Sequence, residues 1–275
     1  MIESTLLIKT RSNKLSYVEQ ALKRMLEGLD ANLTVTGVKG EGWVQVAIAG
    51  EDENAAANYL AKTIGTCPGS IQKLKPLQEL KGYITHINDY EDKLLLDVGI
   101  FDVPNTFAAI PLQHLQACLV DGRKTPLKEI LELYGFHENQ PLNVVVIKKE
   151  DSNLIETELA QAQLEMYLSW RGSLLDRLIA TDVTEKEIKQ AIRKTGLTRD
   201  LINVETLGLL EHALTCKLGT DATGLIPIVG KMLKQARFST FRPRVINAFL
   251  ETKNKDNRSR ESELEKACIK QQHIP

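Results

Sequence analysis

Five short apolar runs between residues 80 and 158 limit the folds available to this chain more than any other feature. The runs are 82–87, 93–98, 107–110, 142–147 and 153–157, and turn residues such as Asn88-Asp89, Gly99 and Pro104-Asn105 separate them. Short runs with β-branched residues and turns between them are typical of a closed β-barrel rather than a parallel sheet. We therefore predict a small barrel over residues 80–160.

A helical insertion interrupts the predicted barrel at about residues 116–140. Thr125 and Pro126 fit the first positions of a helix, and apolar side chains then recur at helical spacing: Leu127, Ile130, Leu131 and Tyr134. After the barrel, residues 161–172 are predicted to form a helical connector, with Tyr167 and Trp170 as core between domains.

The segments 1–79 and 173–250 flank the barrel with the same predicted order of elements. The order is strand, helix, strand, strand, helix and a last strand, which is weak at 70–74 and clearer at 238–241. This is the ferredoxin-like plan, a sheet with helices on one face and the other face open. Ser16-x-x-Glu19 and Thr184-x-x-Glu187 fit capping boxes at two of the helix starts. Strand alternation turns Trp43 away from the helices, where packing against the barrel is favoured over base stacking.

Composition excludes several classes of protein. The 275 residues, 43% of them hydrophobic, suffice for two or three domains. A net charge of −1 gives no overall field toward nucleic acid or membrane, so such binding would depend on local patches. The four cysteines form no CxxC pair, the five histidines are scattered, and no HExxH, GxSxG or GxGxxG motif occurs. We expect a cytoplasmic protein without catalytic residues, metal, cofactor or membrane span, and a disordered polar tail over 251–275.

The clearest partner signal is a stretch without acidic residues. Residues 222–250 contain no Asp or Glu but carry five cations interleaved with two phenylalanines: Lys231, Lys234, Arg237, Arg242, Arg244, Phe238 and Phe241. Cations that neutralise phosphates release condensed counterions, which favours nucleic-acid binding. The five cations are therefore predicted to contact RNA, with Phe241 as a candidate for base stacking. The alternative is a solvated basic face that docks on an acidic protein.

Two loops are further candidates for anion contacts. Arg123 and Lys124 lie in a turn of the insertion and are predicted phosphate contacts. Residues 219–224 join a strand to a helix, where free backbone N–H groups can cradle an anion, so Lys217, Gly219 and Thr220 are anion-binding candidates. The ending of a P-loop is missing, and ordinary helix capping by Asp221 or Thr223 is the favoured interpretation.

Two family resemblances add expectations. Residues 82–87, 94–99, 108–115 and 144–157 resemble the strands of S1 domains, which implies an OB-type barrel that holds a nucleic acid strand. Where S1 domains carry base-stacking aromatics this chain has Leu94 and Leu96, and Pro111 replaces their histidine, so we expect weak RNA binding by the barrel alone. Nearly the whole chain also resembles an uncharacterised archaeal family, on residues 97–101, 121–124 and above all 207–221. Because that family is uncharacterised, the resemblance implies no activity for this chain.

The patterns together predict an α+β protein of three domains: ferredoxin-like, S1/OB-like barrel with a helical insertion, and ferredoxin-like. The preferred function is non-catalytic RNA binding in translation or RNA metabolism, with RNA or a ribonucleoprotein as partner. A protein-interaction scaffold that docks an acidic partner is the alternative. An enzyme or small-anion binder centred on residues 217–224 is the third hypothesis.

Overall fold

The computed structural model describes residues 1–10, 14–149 and 153–252. Its first part contains β1 (Ile2–Lys9), α1 (Leu15–Met25), β2 (Asn32–Lys39), β3 (Trp43–Ala49) and α2 (Glu53–Thr63). The three strands form an antiparallel sheet in the order β1-β3-β2.

Two predictions for this first part are wrong. The strand expected at 70–74 is instead a 3-10 turn, Ile71–Lys73, because Asp102 of the barrel accepts hydrogen bonds from Ser70 Oγ and Ile71 N and holds the segment as a turn. The first capping box does not form either. Helix α1 begins at Leu15, which places Ser16 inside the helix, and Glu19 pairs with Lys23 instead.

The central part is a closed barrel of five strands. These are β4 (Glu79–Thr85), β5 (Lys93–Asp97), β6 (Phe107–Pro111), β7 (Pro141–Lys149) and β8 (Leu154–Leu159), in the order β4-β5-β6-β8-β7. Neighbouring strands are antiparallel except β6 and β8. The insertion holds α3 (Leu112–Leu119) and α4 (Leu127–Tyr134), which starts one residue later than predicted, with Pro126 as its N-cap.

The last part repeats the first with one more strand. After α5 (Gln161–Ser173) come β9 (Arg177–Thr181), α6 (Glu185–Thr195), β10 (Leu201–Thr206), β11 (His212–Cys216), α7 (Ala222–Gly230) and β12 (Arg237–Phe241). The sheet order is β10-β11-β9-β12, and the Thr184–Glu187 capping box is present. The α+β class is confirmed, with a closed barrel between two antiparallel sheets.

The open face expected on the last sheet is covered by other parts of the molecule, whereas the open face of the first sheet keeps Glu3 and Thr34 exposed. Ile179, Ala213 and Phe241, on one face of the last sheet, belong to the same hydrophobic core as the barrel and its insertion. Leu210, from the loop before β11, is buried in the core of the first domain. The three parts therefore pack as one body, and the loop before β11 contacts all three.

The end of the described chain is helical. A helix begins at residue 243 and includes residues 251 and 252, which were predicted to belong to the tail. The prediction of disorder for the remaining residues of the tail lies outside the described residues. None of the helices in the part of the chain that the structure describes combines the length and the apolarity of a membrane span.

Candidate nucleic-acid interface

The five cations of the basic stretch do not form one surface. Lys231 and Lys234 precede β12, whereas Arg242 and Arg244 follow it. A five-residue strand is about 16 Å long, so it holds the two pairs apart. Arg237, at the start of β12, is half-buried. In the folded protein the basic stretch also has acidic neighbours, because acidic side chains from other segments approach both of its ends.

Acidic neighbours are visible in the clefts beside β12. Lys234 lines one cleft with Lys14 and Glu187. Arg244 lines another, of about 160 Å³, with Asp176 and Asp221. Burial raises the pKa of the Asp176 carboxyl and Asp221 raises it further, while Arg242 and Arg244 lower it. The charge at this end of the strand is therefore partly compensated.

Phe241 cannot stack on a base. Its side chain is fully buried, and its ring lies parallel to that of Tyr167 with centroids 5.9 Å apart. Tyr134 and Trp170 meet it edge-on. The aromatic that was predicted to bind RNA is thus the centre of the core that joins the insertion, the connector and the last sheet. The interdomain core role predicted for Tyr167 and Trp170 is confirmed.

Arg123 also has a structural role. Its guanidinium donates hydrogen bonds to the carbonyl oxygens of Phe249, at 2.7 Å, and Leu250. These carbonyls belong to the last helix, so Arg123 ties the insertion to the end of the described chain. The prediction of a phosphate contact is not supported there, since the guanidinium is held against the last helix. Lys124 beside it is exposed.

The loop before α7 is a helix cap. Asp221 is the N-cap of α7 and its Oδ1 accepts a hydrogen bond from Thr223 N at 3.0 Å. Lys217 and Gly219 are exposed, and the cleft beside Thr220 has two carboxylates, Asp176 and Asp221, among its walls. The capping interpretation is confirmed, and the carboxylates would repel an anion at this loop.

The outer face of β5 and β6 carries a group of rings that the sequence predictions passed over. The rings of His86 and Phe107 meet edge-on with centroids 5.2 Å apart. Leu95 is buried, and it is next to Thr85 and Ala109 in the strand register. The exposed imidazole and the half-buried phenyl ring, set at 72° to each other, form a pair of accessible rings beside the second and third strands of the barrel.

Each end of this face is flanked by a lysine over an aromatic ring. Lys93 Nζ lies 4.9 Å from the centroid of Tyr90, which is exposed in the loop before β5. At the other end, Lys39 Nζ lies 4.6 Å from the centroid of Phe101. Lys39 and Phe101 line a cleft of about 330 Å³ that also reaches Phe107. We call this surface, from Tyr90 through Phe107 to Phe101, the barrel face.

The premise of weak binding at Leu94 and Leu96 needs correction. Both leucines point into the barrel core, so neither is available to a ligand. Alternation along β6 carried the missed signal, because Ala108 and Ile110 are apolar core residues and Phe107 must then point outward. Tyr90 had no periodic signal, since it lies in a loop.

Beneath the Lys39 end of the barrel face, in a cleft that Trp43 and Asp97 also line, the barrel meets the first domain through a buried carboxylate. Asp97 accepts hydrogen bonds from Lys9 Nζ at 2.8 Å, Trp43 Nε1 at 2.9 Å and Gly99 N at 3.0 Å. The Trp43 ring also packs edge-on against Tyr83 of β4, with centroids 5.3 Å apart. The prediction that Trp43 packs against the barrel is confirmed, and the indole is unavailable for stacking.

Glu211, in the motif 207–221, occupies the junction of all three parts. Its carboxylate lies 3.4 Å from Tyr83 Oη, which donates a hydrogen bond to Leu7 O of the first domain. Lys81 donates to Leu207 O at 2.7 Å. Burial raises the pKa of the Glu211 carboxyl to about 7, while Lys81 lowers it. A Cβ at Gly208 would overlap this carboxylate, so the close approach of Glu211 to the backbone favours glycine at position 208. The motif thus acts as a structural junction.

One Cys–His–Glu arrangement lies on the barrel. Cys118 Sγ is 3.4 Å from His114 Nε2, and His114 Nδ1 is 3.7 Å from Glu158. His114 Nε2 already accepts a hydrogen bond from Leu159 N, and burial raises the pKa of the Cys118 thiol, with Glu158 adding to the rise. Both facts oppose formation of a thiolate. Within the described ranges, three or more metal-ligating side chains nowhere converge as a metal site requires.

The fold and its sites define a three-part α+β protein built around a closed barrel, with tight junctions between the parts. Family models match the chain as the DUF2110 N-terminal domain over residues 4–70, the DUF2110 central domain over 74–171 and the DUF2110 C-terminal domain over 175–241. The chain belongs to the DUF2110 family, a family of unknown function. The archaeal origin and the relationship to S1 domains remain predictions.

Comparisons with individual proteins add little. No characterised protein matches the sequence. Among solved structures, the intact alpha subunit of aIF2 from Pyrococcus abyssi is 9% identical, with a TM-score of 0.24, over 62% of this chain and 97% of that one. A protein described as an exosome complex RNA-binding protein is 8% identical, with a TM-score of 0.22, over 68% and 97%. Likenesses at these TM-scores carry no argument about fold or function.

Proposed function

We propose that this chain binds single-stranded RNA on the barrel face, without catalysis of its own. The observation that carries the proposal is the series of rings flanked by lysines on one side of the barrel. Bases of any sequence stack on such rings, and lysines at the edges meet the phosphates. In OB-type barrels, oligonucleotides bind on the face of the second and third strands and at the loop between the first two. Here these elements are β5, β6 and residues 86–92.

The series gives a path for a short segment of RNA. Tyr90 with Lys93 lies at one end, His86 and Phe107 in the middle, and Phe101 with Lys39 at the other end. Three ring positions suit roughly four nucleotides, the lower end of the range for one OB fold.

Stacking should contribute more than charge at this surface. The loop that carries Tyr90 also carries Asp89, Glu91 and Asp92, all exposed. Asp89 is paired with His86 at 2.9 Å. These carboxylates, together with Glu41 in the cleft beside Lys39, leave the face few cations to offer a phosphate, so its rings must supply most of the affinity.

The proposal is tested by fluorescence anisotropy of the full chain with single-stranded RNA octamers, the same sequences as duplex, and single-stranded DNA. Replacing Tyr90→Ala or Phe107→Leu should weaken single-strand binding by about 5- to 100-fold each, because one base loses its ring. Tyr59→Ala is the matched control, since Tyr59 is 44% exposed on α2 against 43% for Tyr90. It should bind like the wild type.

Two results contradict the proposal. If the ring variants bind normally while a variant neutralised at Lys231, Lys234, Arg237, Arg242 and Arg244 loses binding, the basic stretch carries the RNA instead. If the wild type has no affinity for single strands even at low salt, RNA binding fails altogether. Retention of an acidic protein by the wild type, and its loss from the neutralised variant, would then support the scaffold alternative.

A further inference from the structure

A second cleft lies between the two flanking domains, away from the barrel face. Helix α1 forms one wall and the start of α6 the other, and the volume is about 420 Å³. That volume falls in the range of small-molecule sites. The wall includes Tyr17 and Met25 from α1, Lys186 from α6, and Leu209 and His212 from the motif 207–221. The first and last parts of the chain therefore build it together.

His212 is a buried polar group without a partner in this wall. The residue is 1% exposed, and neither ring nitrogen has a hydrogen-bond partner of ordinary geometry among the described residues. Burial lowers the pKa of the imidazole, and Glu185 and the main chain of Val183 oppose this only in part. The ring is therefore neutral at pH 7, with one donor and one acceptor. Buried polar groups are rarely left unpaired, because each costs free energy.

The rim of the cleft holds two cations and two carboxylates. Arg24 and Lys186 are exposed there, and α6, eleven residues long, begins beside them with the positive end of its dipole. The two acids on the same rim are engaged elsewhere. Glu185 pairs with Lys189 at 2.5 Å, and Glu187 accepts hydrogen bonds from Thr184 N and Oγ1 at 2.8 Å.

We propose that this cleft binds a nucleotide, with the base against His212 and the phosphate at Arg24 and Lys186. Met25 and Leu209 give the base an apolar surface, and one ring nitrogen of the neutral imidazole can hydrogen-bond to its edge. Tyr17, at the mouth, is exposed and free to close over the ring. The proposal is independent of RNA binding on the barrel face.

The test uses the full chain and the probes AMP, GMP, CMP, UMP, adenosine and inorganic phosphate, with calorimetry for affinity and ¹⁵N-histidine spectra for His212. At least one nucleotide should bind and shift the His212 nitrogens, more tightly than adenosine or phosphate alone. Arg24→Gln and Lys186→Gln should each weaken nucleotide binding by about 10-fold or more, because a charged hydrogen bond is lost. Lys23→Gln is the matched control: Lys23 is next to Arg24 but pairs with Glu19.

Three results would overturn the proposal. One is the absence of any nucleotide binding at millimolar concentration. Another is phosphate that binds as tightly as the nucleotides, which removes the role of the base. The third is nucleotide binding that leaves the His212 nitrogens unshifted or that the Tyr90→Ala variant abolishes, since the site would then be the barrel face. Because Arg24 and Lys186 are exposed, their variants are expected to fold even where a His212 variant does not.

Discussion

Two neighbouring regions of the barrel use the same kinds of residue for opposite purposes. On the domain-facing side, Trp43 and Tyr83 are fully buried, and every polar atom of their rings contacts a partner in the protein. On the barrel face, Tyr90 and Phe107 remain at the surface beside lysines and contact no other domain through a hydrogen bond that the structure records.

The two regions differ in whether their charged side chains are buried as pairs or exposed. Lys9 and Asp97 are buried together and neutralise each other, whereas Lys93 lies over a ring and has carboxylates only nearby in its loop. A buried pair fixes the geometry of a junction, while a cation over an exposed ring stays available to a phosphate. Rings and lysines therefore mark either a junction or an interface, and burial decides which.

The largest effect is expected from Asp97→Asn. It leaves the buried ammonium of Lys9 with the more exposed Glu41, 3.2 Å away, as its carboxylate partner, so the cost is expected near the low end of the range of about 3–5 kcal/mol for breaking a buried pair. The free energy of unfolding, measured in urea, should fall by that amount. Asp89→Asn, on the exposed pair with His86, is the control and should change stability by less than about 0.5 kcal/mol. Equal effects at both positions would erase the distinction between the two regions.

The second effect is the pH dependence of the junction at Glu211. Its pKa is about 7 in the folded chain against 4.5 for the unfolded group, so folding favours the protonated form. The stability is fully present below pH 4.5 and is lost as the pH rises to about 7. Since a tenfold change in proton affinity is about 1.4 kcal/mol, the loss is roughly 3 kcal/mol.

Glu211→Gln isolates this contribution. The amide cannot ionise and keeps the shape of the neutral carboxyl, so the variant should lack the decline and be more stable than wild type at pH 8. Lys81 titrates in the opposite sense, because burial lowers its pKa, but it is present in both proteins. Urea unfolding from pH 4.5 to 8 measures the difference; parallel curves for the two proteins would contradict a buried neutral Glu211.

Most of the fold could be predicted from the sequence, because the spacing of apolar residues determines most of its helices and strands. The barrel strands, the β-α-β-β-α-β order of residues 173–250 and the second capping box follow from local spacing and turn residues. The fourth strand of the first domain failed for a non-local reason. Asp102, some thirty residues further along the chain, holds Ser70 and Ile71 in a turn. The local sequence pattern at residues 70–74 cannot show that a distant carboxylate will bind there.

The candidate sites were predicted less well because they depend on which segments meet. A stretch without acids looks like a basic patch until Asp176 and Glu187 are brought beside it by the fold. Phe241 looks free until Tyr167 packs on it. The rings of the barrel face come from separate strands and loops, so no linear motif contains them. His212 is buried, and among the described residues its ring nitrogens have no hydrogen-bond partner of ordinary geometry, which no local pattern indicates.

A smaller difference is expected between a variant that affects stability, at Trp43, and one that affects RNA binding, at Tyr90. Trp43→Phe removes the hydrogen bond to the Asp97 carboxylate and should cost about 1.5–3 kcal/mol in unfolding free energy. Tyr90→Ala should cost less than about 0.5 kcal/mol, because its side chain is exposed, yet it should reduce RNA affinity. Chemical denaturation and anisotropy on the same two variants check this. A Tyr90 variant that loses stability instead of affinity would make it part of a junction.

The smallest expected effect is the salt dependence of RNA binding, and it distinguishes the barrel face from the basic stretch. Each phosphate contact on a single strand contributes about 0.7 to the slope of log K against log salt. Two contacts, at Lys39 and Lys93, give a slope of about −1.4, whereas five contacts in the basic stretch would give about −3.5. Lys93→Gln should therefore reduce the slope by about 0.7, while Lys234→Gln, an exposed lysine of the basic stretch, should leave it unchanged. Titration at four salt concentrations resolves the two cases. A slope near −3.5 that falls with Lys234→Gln would move the interface from the barrel to the end of the last sheet.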